Sequence, residues 1–215
     1  MLKPTMKSLI AKYYRFIRPL RPLYGWMVDA RSKQRCSARA EEWKKRGFRG
    51  AKLDVCGGRN PYNEKEYLNV DIVPFPKVDL AFDITRRFPI DDGMIAEVLS
   101  VATLEHLRKP QVDHVLKEFF RILSPSGLLR VSTPDIDALA RAVINHEDLE
   151  IINRHLFGRF KSTETEQEDL HKWLYPAEKM IDVLRLIGFT AVEQIPMDLP
   201  LHDRRYNYLI RAKKP

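Results

Sequence analysis

Short apolar runs alternate with longer amphipathic stretches from residue 51 to the end of the chain. Runs of this kind predict strands at 53–56, 67–72, 78–82, 95–101 and 128–132. Between the last two strands, apolar residues recur at the spacing of one helix face: Val112, Val115, Leu116, Phe119 and Leu123. A turn at 124–127 closes that helix. Strand, helix and strand in this order predict an α/β architecture with a parallel sheet.

The last third of the chain continues this alternation with one interruption. A helix is predicted at 134–144, a polar and irregular segment at 153–168, and a further helix at 176–187 that Gly188 ends. Strands are predicted at 191–195 and 206–211. With 215 residues and 44% hydrophobic content, the chain is long enough for one substantial core. We therefore expect one main domain with an appendage.

The first 50 residues have a different pattern. One face of a predicted helix is apolar and carries Met6, Leu9, Ile10, Tyr13, Ile17 and Leu20. The opposite face carries Lys7, Lys12, Arg15 and Arg18. This segment contains 14 Lys and Arg against 3 Asp and Glu, so the formal net charge of +8 comes from it. With a second helix predicted within 31–49, we expect a basic helical extension at 1–50 and a main domain at 51–215.

A basic amphipathic helix of this kind has three interpretations. The first places residues 1–26 on an anionic membrane surface, where apolar side chains enter the headgroup region and cations attract lipid. The second packs the helix on its own domain with a solvated basic face. The third makes it a nucleic-acid arm. Amphipathicity alone does not separate these interpretations, so all three stay open.

Composition excludes several classes of protein. Cys36 and Cys56 are the only cysteines, and their spacing fits neither a zinc site nor a disulfide framework. No metal site is predicted, and the low cysteine content fits a reducing compartment. No apolar run approaches the roughly 20 residues needed to cross a bilayer, and the N-terminus lacks the apolar core of a signal peptide. We expect a cytoplasmic protein, with peripheral binding to the inner face of the membrane as the first interpretation implies.

The first predicted strand leads into a turn that suits a bound nucleotide. Gly57, Gly58 and Pro61 follow this strand, and the next strand reaches Asp71. Glycines let a ligand approach the main chain, and a carboxylate at the second strand end accepts hydrogen bonds from ribose hydroxyls. The 13 residues from Gly58 to Asp71 leave no room for the full helix of a dinucleotide-binding unit. The pattern favours an adenosyl ligand, with an ordinary strand, turn and strand as the alternative.

Four segments in order carry a resemblance to a known family. They are 53–61 (Leu-Asp-Val-Cys-Gly-Gly-Arg-Asn-Pro), 67–71 (Tyr-Leu-Asn-Val-Asp), 104–107 (Leu-Glu-His-Leu) and 121–135. Together they resemble class I S-adenosylmethionine-dependent methyltransferases, most of all the methyltransferase type 11 group, which in bacteria is often associated with cell-surface glycan or secondary metabolism. The resemblance implies a Rossmann-like sheet, mostly parallel with one antiparallel C-terminal strand, and helices on both faces. It also implies S-adenosyl-L-methionine as the cofactor.

The resemblance further implies which residues bind that cofactor. The matching positions are Asp54, Cys56, Gly57, Gly58, Asp71, Ile72, Asp83, Ile84, Ser100 and Val101. The first four would surround the methionine moiety, while Asp71 would accept hydrogen bonds from the ribose and Asp83 would contact the adenine amino group. Cys56 stands where the family has glycine, so a side chain lies where close approach is usual. Ala96 and Ala102 replace an Asp and a His that are common in the family.

Two histidines are the candidates for a catalytic base. His106 follows the fourth predicted strand, and His171 follows the polar segment. Imidazole titrates near neutral pH and can accept the proton of a hydroxyl acceptor. The alternative readings are that His106 packs against or caps a helix and that His171 braces a lid. Glu105 is expected to form structural hydrogen bonds, and Cys56 to be an inert packing residue.

These features predict methyl transfer to a small-molecule or glycan acceptor, including a lipid-linked or cell-surface saccharide. One alternative is a protein that binds S-adenosylmethionine without transferase activity, because Cys56, Ala96 and Ala102 depart from the family. The other is an RNA-directed methyltransferase that uses the basic arm. Residues 102–105 read Ala-Thr-Leu-Glu, where amino-methylating members carry an Asn/Asp-Pro-Pro-aromatic motif. Methylation of base amines is therefore disfavoured, and nucleic acid is the less favoured partner.

Overall fold

In the part of the chain that the structure describes, seven strands form one mixed sheet. The computed structural model describes residues 37–159, 169–199 and 203–215. Its strands are β1 (Ala51–Val55), β2 (Tyr67–Asp71), β3 (Leu80–Ala81), β4 (Ile95–Val101), β5 (Leu123–Pro134), β6 (Thr190–Ile195) and β7 (Asn207–Lys213). Its helices are α1 (Ala38–Lys45), α2 (Lys109–Ile122), α3 (Ile136–Ile144), α4 (Leu149–Phe157) and α5 (Ala177–Ile187), with a short 3₁₀ helix at Leu104–His106.

The strands are arranged in the order β3-β2-β1-β4-β5-β7-β6. The pairs among β1 to β5 are all parallel, and β7 runs antiparallel to both of its neighbours. The prediction of a mostly parallel sheet with one antiparallel C-terminal strand is confirmed, and helices surround the sheet. The strand order reverses between β1 and β4, and ligands of open α/β sheets bind beside the carboxyl ends of strands at such a reversal.

The predicted strands are present, with differences in length. The predicted strand 95–101 coincides with β4, whereas 78–82 is reduced to the two residues of β3. β5 has 12 residues and extends beyond the predicted 128–132 on both sides. It is longer because it pairs with β4 on one side and with β7 on the other. The prediction of a turn at 124–127 is therefore wrong, because these residues lie within β5. Local sequence does not reveal this pairing, since the segment contains turn-forming residues.

The predicted helix between β4 and β5 forms, but Leu123, which was predicted on its apolar face, is the first residue of β5. The buried side chains of α2 include Val112, Val115, Leu116 and Phe119. Pro110 lies in the first turn, where the missing N–H would have had no helical partner. The helix α5 ends at Gly188, also as predicted.

The prediction of an irregular segment at 153–168 is wrong over residues 153–157, which belong to α4. Asp148 caps this helix, because its Oδ1 accepts hydrogen bonds from the amides of Glu150 at 2.8 Å and Ile151 at 3.3 Å. Ile152 is 1% exposed and packs in a cluster with Leu139 of α3 and with Tyr206. The polar sequence is helical because capping and this buried contact stabilise it.

Side chains of successive strand residues alternate between two apolar clusters. Val55 and Val98 join the main core, which also contains buried residues of α1, α2 and α5. Leu99 lies in a second cluster with Met197 and Leu199, which precede β7 in the chain. Full burial of an aliphatic side chain contributes about 1.5–3 kcal/mol. The sheet is therefore stabilised on both faces, and its carboxyl edge is held in a defined geometry.

Only the last part of the basic extension lies within the described residues. There the helix predicted within 31–49 is α1, which ends at Lys45. Ala40 is fully buried in the main core, and Ser37 Oγ donates a hydrogen bond to Asp79 Oδ1 at 2.6 Å. The predicted amphipathic helix, with residues 1–26 as a membrane-binding segment, lies outside the described residues. Among the helices that are described, none is long and apolar enough to cross a membrane.

Candidate functional site

The glycine turn after β1 is held by two buried polar side chains. Asp54 Oδ2 accepts a hydrogen bond from the amide of Tyr62 at 2.7 Å. Asn69 Nδ2 donates to the carbonyl of Gly58 at 2.9 Å. A Cβ added at Gly57 would lie only 2.6 Å from Asp54 Oδ2 and 2.7 Å from Asn69 Oδ1. The turn therefore requires glycine at this position, because these two side chains fill the space that a Cβ would take.

Asp71 lies next to this turn at the carboxyl end of β2. Its Oδ2 is 3.7 Å from the position that a Cβ on Gly58 would take, and its Oδ1 accepts a hydrogen bond from the amide of Val73 at 2.8 Å. Burial raises the pKa of Asp71, although the amides of Val73, Ile72 and Gly58 oppose this shift. Ile72 directly follows Asp71, and its side chain is 48% exposed. The structure thus brings the glycine turn, Asp71 and Ile72 together as predicted.

Asp83 and Ile84 follow β3 at the same edge of the sheet. The Asp83 carboxylate accepts hydrogen bonds from the amide and the hydroxyl of Thr85, at 2.9 and 2.7 Å, and lies 3.4 Å from Arg86 Nε. Ile84 is buried. A contact between Asp83 and a bound adenine would have to share an oxygen that already has partners, and this role stays a prediction.

The end of β4 is joined to the end of β1 by a threonine. Thr103 Oγ1 donates to the carbonyls of Val55 and Val101, at 3.0 and 3.1 Å. Ser100 is fully buried, and its hydroxyl has no hydrogen-bond partner within the described ranges. Ala102 follows with a φ of +52°. The two strand ends therefore form one continuous edge, while the predicted cofactor contacts of Ser100 and Val101 stay predictions.

Cys56 occupies a strained position in the turn. Its φ of +62° lies in the left-handed region that favours glycine, and its side chain packs against the main core. Burial raises the pKa of its thiol, and the nearby Asp71 carboxylate adds to the shift. A thiol with a raised pKa is a poor nucleophile, which agrees with the expected packing role.

A cavity of about 410 Å³ opens beside this edge. Ala102, after β4, and Pro134, at the end of β5, line it from the sheet. The remaining lining is mostly polar and includes Glu105, His106, Arg154, His155, Arg159, Asp169, His171, Asp203 and Asn207. Pockets of about 300–1,000 Å³ commonly hold small ligands. The cavity has room for a small polar molecule next to the strand ends.

The two predicted histidines meet in this cavity. The rings of His106 and His171 lie edge to face with centroids 4.9 Å apart. His171 Nδ1 is 2.7 Å from the carbonyl oxygen of His155, and since a carbonyl can only accept, Nδ1 carries the proton. Burial and the neighbouring His106 lower the pKa of His171 to about 4. The imidazole of His171 is therefore neutral at physiological pH, with a lone pair on Nε2.

His171 reaches His106 because its segment pairs with the end of α4. The amide of His171 donates to the carbonyl of Phe157 at 3.1 Å, and Gly158 forms a bridge with Leu170. A Cβ on Gly158 would lie 2.0 Å from the carbonyl oxygen of Asp169, so this bridge requires glycine. On the other side, the amide of Lys172 donates to the carbonyl of Glu105 at 2.7 Å.

Glu105 completes this group with a buried carboxyl. The residue is 2% exposed, and its Oε2 has no hydrogen-bond partner among the described residues. Burial raises the pKa of Glu105 to about 8, while the amides of Glu105 and Thr103 oppose the shift. The expected structural hydrogen bond is therefore missing at Oε2, which makes this carboxyl available for a ligand.

Sequence reasoning missed several residues of the site. Asn69 supports the glycine turn, and Arg154, His155 and Arg159 line the cavity. Arg154 and His155 lie on α4, and Arg159 follows it closely. The signal that could have indicated this helix was Asp148 before an apolar pair at 151–152. No local signal indicated Asn69, because its role depends on the pairing of β1 with β2.

Comparisons with known proteins find similarity in structure alone, since no family model and no curated protein matches the chain. A methyltransferase of Methanosarcina mazei is 16% identical, covers 78% of this chain and 93% of its own, and has a TM-score of 0.53. One of Archaeoglobus fulgidus is 17% identical, and the match covers 94% of this chain and 99% of that one with a TM-score of 0.53. One of Thermotoga maritima, described as a possible histamine N-methyltransferase, is 16% identical, with 88% and 100% covered and a TM-score of 0.50.

All three structures are described as S-adenosylmethionine-dependent methyltransferases. At these identities the similarity shows the fold of the chain, whose sheet has a glycine turn and an acid at neighbouring strand ends. The resemblance to the type 11 group is not borne out by a family model, and it stays a prediction. The chain has the fold of class I S-adenosylmethionine-dependent methyltransferases.

Proposed function

We propose that the protein transfers a methyl group from S-adenosylmethionine to a small polar acceptor in the cavity beside His106 and His171. One observation carries this proposal: a close-approach glycine turn, an acid at the end of β2 and a polar cavity lie along one edge of a methyltransferase fold. The fold by itself would not be sufficient, because folds host many functions.

The residues of the turn fit the proposed cofactor. Asp71 lies beside the turn and has an oxygen, Oδ2, that can accept hydrogen bonds from ribose hydroxyls. Ile72 offers exposed apolar surface beside Asp71, where an adenine ring can pack. When bound, the cofactor supplies a methyl group that is already activated by its sulfonium. The protein then has to hold the acceptor, exclude water and remove a proton.

The cavity suits a hydroxylated acceptor. Its lining presents both charges, from Arg154 and Arg159 and from Asp169 and Asp203, and these groups can orient hydroxyls by hydrogen bonding. His171 is neutral and can accept the proton of such a hydroxyl at Nε2. We therefore favour a small-molecule or glycan acceptor, with a lipid-linked or cell-surface saccharide as the specific class. Peripheral membrane binding through residues 1–26 would serve the same acceptor and is part of the proposal.

Two other functions are separated from this one by assays of turnover on candidate acceptors. A protein that binds the cofactor without turnover would agree with the strained Cys56 and with Ala102 in place of a histidine. Methylation of RNA would require the basic extension, and turnover on RNA alone would favour it. Membership of the type 11 group, a cytoplasmic location and nucleic acid as the less favoured partner belong to the same proposal.

The test is calorimetric binding of S-adenosylhomocysteine to the full chain and to Asp71→Asn. Asparagine keeps an oxygen for the amide of Val73 but removes the charge that ribose hydroxyls would meet. Hydrogen bonds to charged groups contribute about 1.5–3 kcal/mol, so affinity should fall by roughly 10- to 150-fold. The matched control is Asp91→Asn, an exposed aspartate remote from the turn in sequence. If the unchanged chain and Asp71→Asn bind S-adenosylhomocysteine with equal affinity, the proposed cofactor site is wrong.

A further inference from the structure

Three side chains at one end of the cavity have the composition of a metal site. Glu105, His106 and His171 each offer a ligand atom, and these atoms lie within 4.8 Å of one another. Atoms bound to one Zn²⁺ at about 2.0–2.2 Å are roughly 3.4 Å apart in tetrahedral geometry. The ligand atoms of the three residues therefore lie near the separations that one bound cation requires.

The orientation of His171 is that of a metal ligand. Its Nδ1–H donates to the carbonyl of His155, which leaves the Nε2 lone pair as the coordinating atom. Histidines that bind metals almost always hold their second nitrogen in such a bond, which sets both the tautomer and the ring orientation. The partner here is main chain at the end of α4, so the ring position depends on the fold and not on a mobile side chain.

The buried carboxyl is the second independent observation. Glu105 is 2% exposed, and its Oε2 has no hydrogen-bond partner among the described residues. Leaving a buried polar atom unpaired costs about 1–3 kcal/mol, and a cation removes that cost. The contacts of Glu105 with Lys172 and Trp173 are made by its backbone carbonyl, which accepts hydrogen bonds from their amides. These contacts therefore provide no partner for Oε2.

We propose that Glu105, His106 and His171 bind one divalent cation of the zinc class at the acceptor end of the cavity. Two imidazoles and a carboxylate suit Zn²⁺ and neighbouring first-row metals better than Mg²⁺, which prefers oxygen ligands. Three protein ligands leave a position open toward the cavity, as in catalytic zinc sites. This proposal departs from the prediction, made from cysteine spacing, that there is no metal site.

The cation would act on the acceptor, and this role rests on the proposed function. An acceptor hydroxyl bound at the open position loses its proton to solvent, because the cation stabilises the alkoxide. The oxygen then forms a bond to the methyl carbon while the carbon–sulfur bond breaks, and that electron pair stays on sulfur. With the cation bound, His106 and His171 are ligands, and the cation replaces the general base.

The test titrates Co²⁺, a visible stand-in for Zn²⁺, into the chelator-treated full chain and follows its d–d absorption and heat of binding. We expect one Co²⁺ per chain. Glu105→Gln and His171→Gln should each weaken binding at least tenfold, since even loss of an outer partner of a ligand costs about 10- to 100-fold. The matched control His146→Gln changes an exposed histidine that does not line the cavity and should bind Co²⁺ like the unchanged chain. Circular dichroism shows whether each variant is folded.

The outcomes separate this proposal from the proposed function. Absence of Co²⁺ binding by the unchanged chain, or equal binding by folded Glu105→Gln or His171→Gln, would overturn the metal site. Binding of S-adenosylhomocysteine is measured on the same samples. If that molecule binds and Co²⁺ does not, the cofactor site stands and the metal site fails. If Co²⁺ alone binds with the expected loss in the variants, the metal site stands and the cofactor proposal fails.

Discussion

Replacing Gly57 by alanine tests whether the turn after β1 depends on close approach. A Cβ at this position would lie 2.6 Å from Asp54 Oδ2 and 2.7 Å from Asn69 Oδ1, distances that real Cβ atoms essentially never show. Either the turn or one of these two side chains must therefore move. The change is small in volume, but it affects the point where the cofactor is proposed to meet the main chain.

Movement of either side chain breaks hydrogen bonds that hold the turn. Asp54 Oδ2 accepts from the amide of Tyr62 at 2.7 Å, and Asn69 Nδ2 donates to the carbonyl of Gly58 at 2.9 Å. A buried polar group that loses its partner costs about 1–3 kcal/mol. With one or two such groups affected, we expect Gly57→Ala to lower the free energy of unfolding by about 2–4 kcal/mol.

The matched control is Gly58→Ala, one residue further along the turn. Its Cβ would make an ordinary contact at 3.7 Å from Asp71 Oδ2, but its φ of +57° lies in the left-handed region. That backbone strain costs roughly 1–2 kcal/mol. Urea unfolding followed by circular dichroism measures both variants, and calorimetry with S-adenosylhomocysteine measures their binding. If Gly57→Ala loses no more stability than Gly58→Ala, close approach at this turn is refuted.

The remaining predictions concern a strained residue, a buried carboxyl and the basic extension. Cys56→Gly relieves the φ of +62°, so by calorimetry it should bind S-adenosylhomocysteine equally or more tightly; clear weakening would mean that Cys56 does not match the family's glycine. Burial raises the pKa of Glu105 from 4.5 to about 8. The stability that the protonated carboxyl contributes is therefore fully present below pH 4.5, and it is lost as the pH rises through about 8. With chelator present, urea unfolding should show that the unchanged chain loses free energy of unfolding relative to Glu105→Gln as the pH rises through this window, by up to about 1.4 kcal/mol per pH unit. Parallel pH profiles of the two proteins would contradict the reasoning. Lys12→Glu combined with Arg15→Glu should reduce sedimentation with anionic liposomes, because each cation near such a surface contributes about 1 kcal/mol; an unchanged chain that sediments equally with neutral liposomes would argue against the membrane interpretation.

The sheet could be predicted because its signals are local. The apolar runs of strand length and the helical repeat at 112–119 each depend on residues that are close together in the sequence. They follow one another in the order of an α/β fold. The same holds for Gly57, Gly58 and Asp71, which follow directly from strands β1 and β2. Because parallel strands end at the same edge, positions at the ends of consecutive strands were expected to meet, and they do.

The acceptor end of the site could not be predicted in this way. The extent of β5 and the helical state of residues 153–157 depend on pairing with β7 and on burial of Ile152 against Tyr206, which are contacts between distant parts of the chain. Sequence pointed to His106 and His171 separately, as two titratable groups 65 positions apart. The bridge between Gly158 and Leu170, with the hydrogen bond from Lys172 to Glu105, brings their rings to 4.9 Å beside the buried carboxyl of Glu105. Local sequence determined the strands and the glycine turn because those depend on neighbouring residues, whereas the cluster in the cavity was decided by the tertiary structure, since its members share no local pattern.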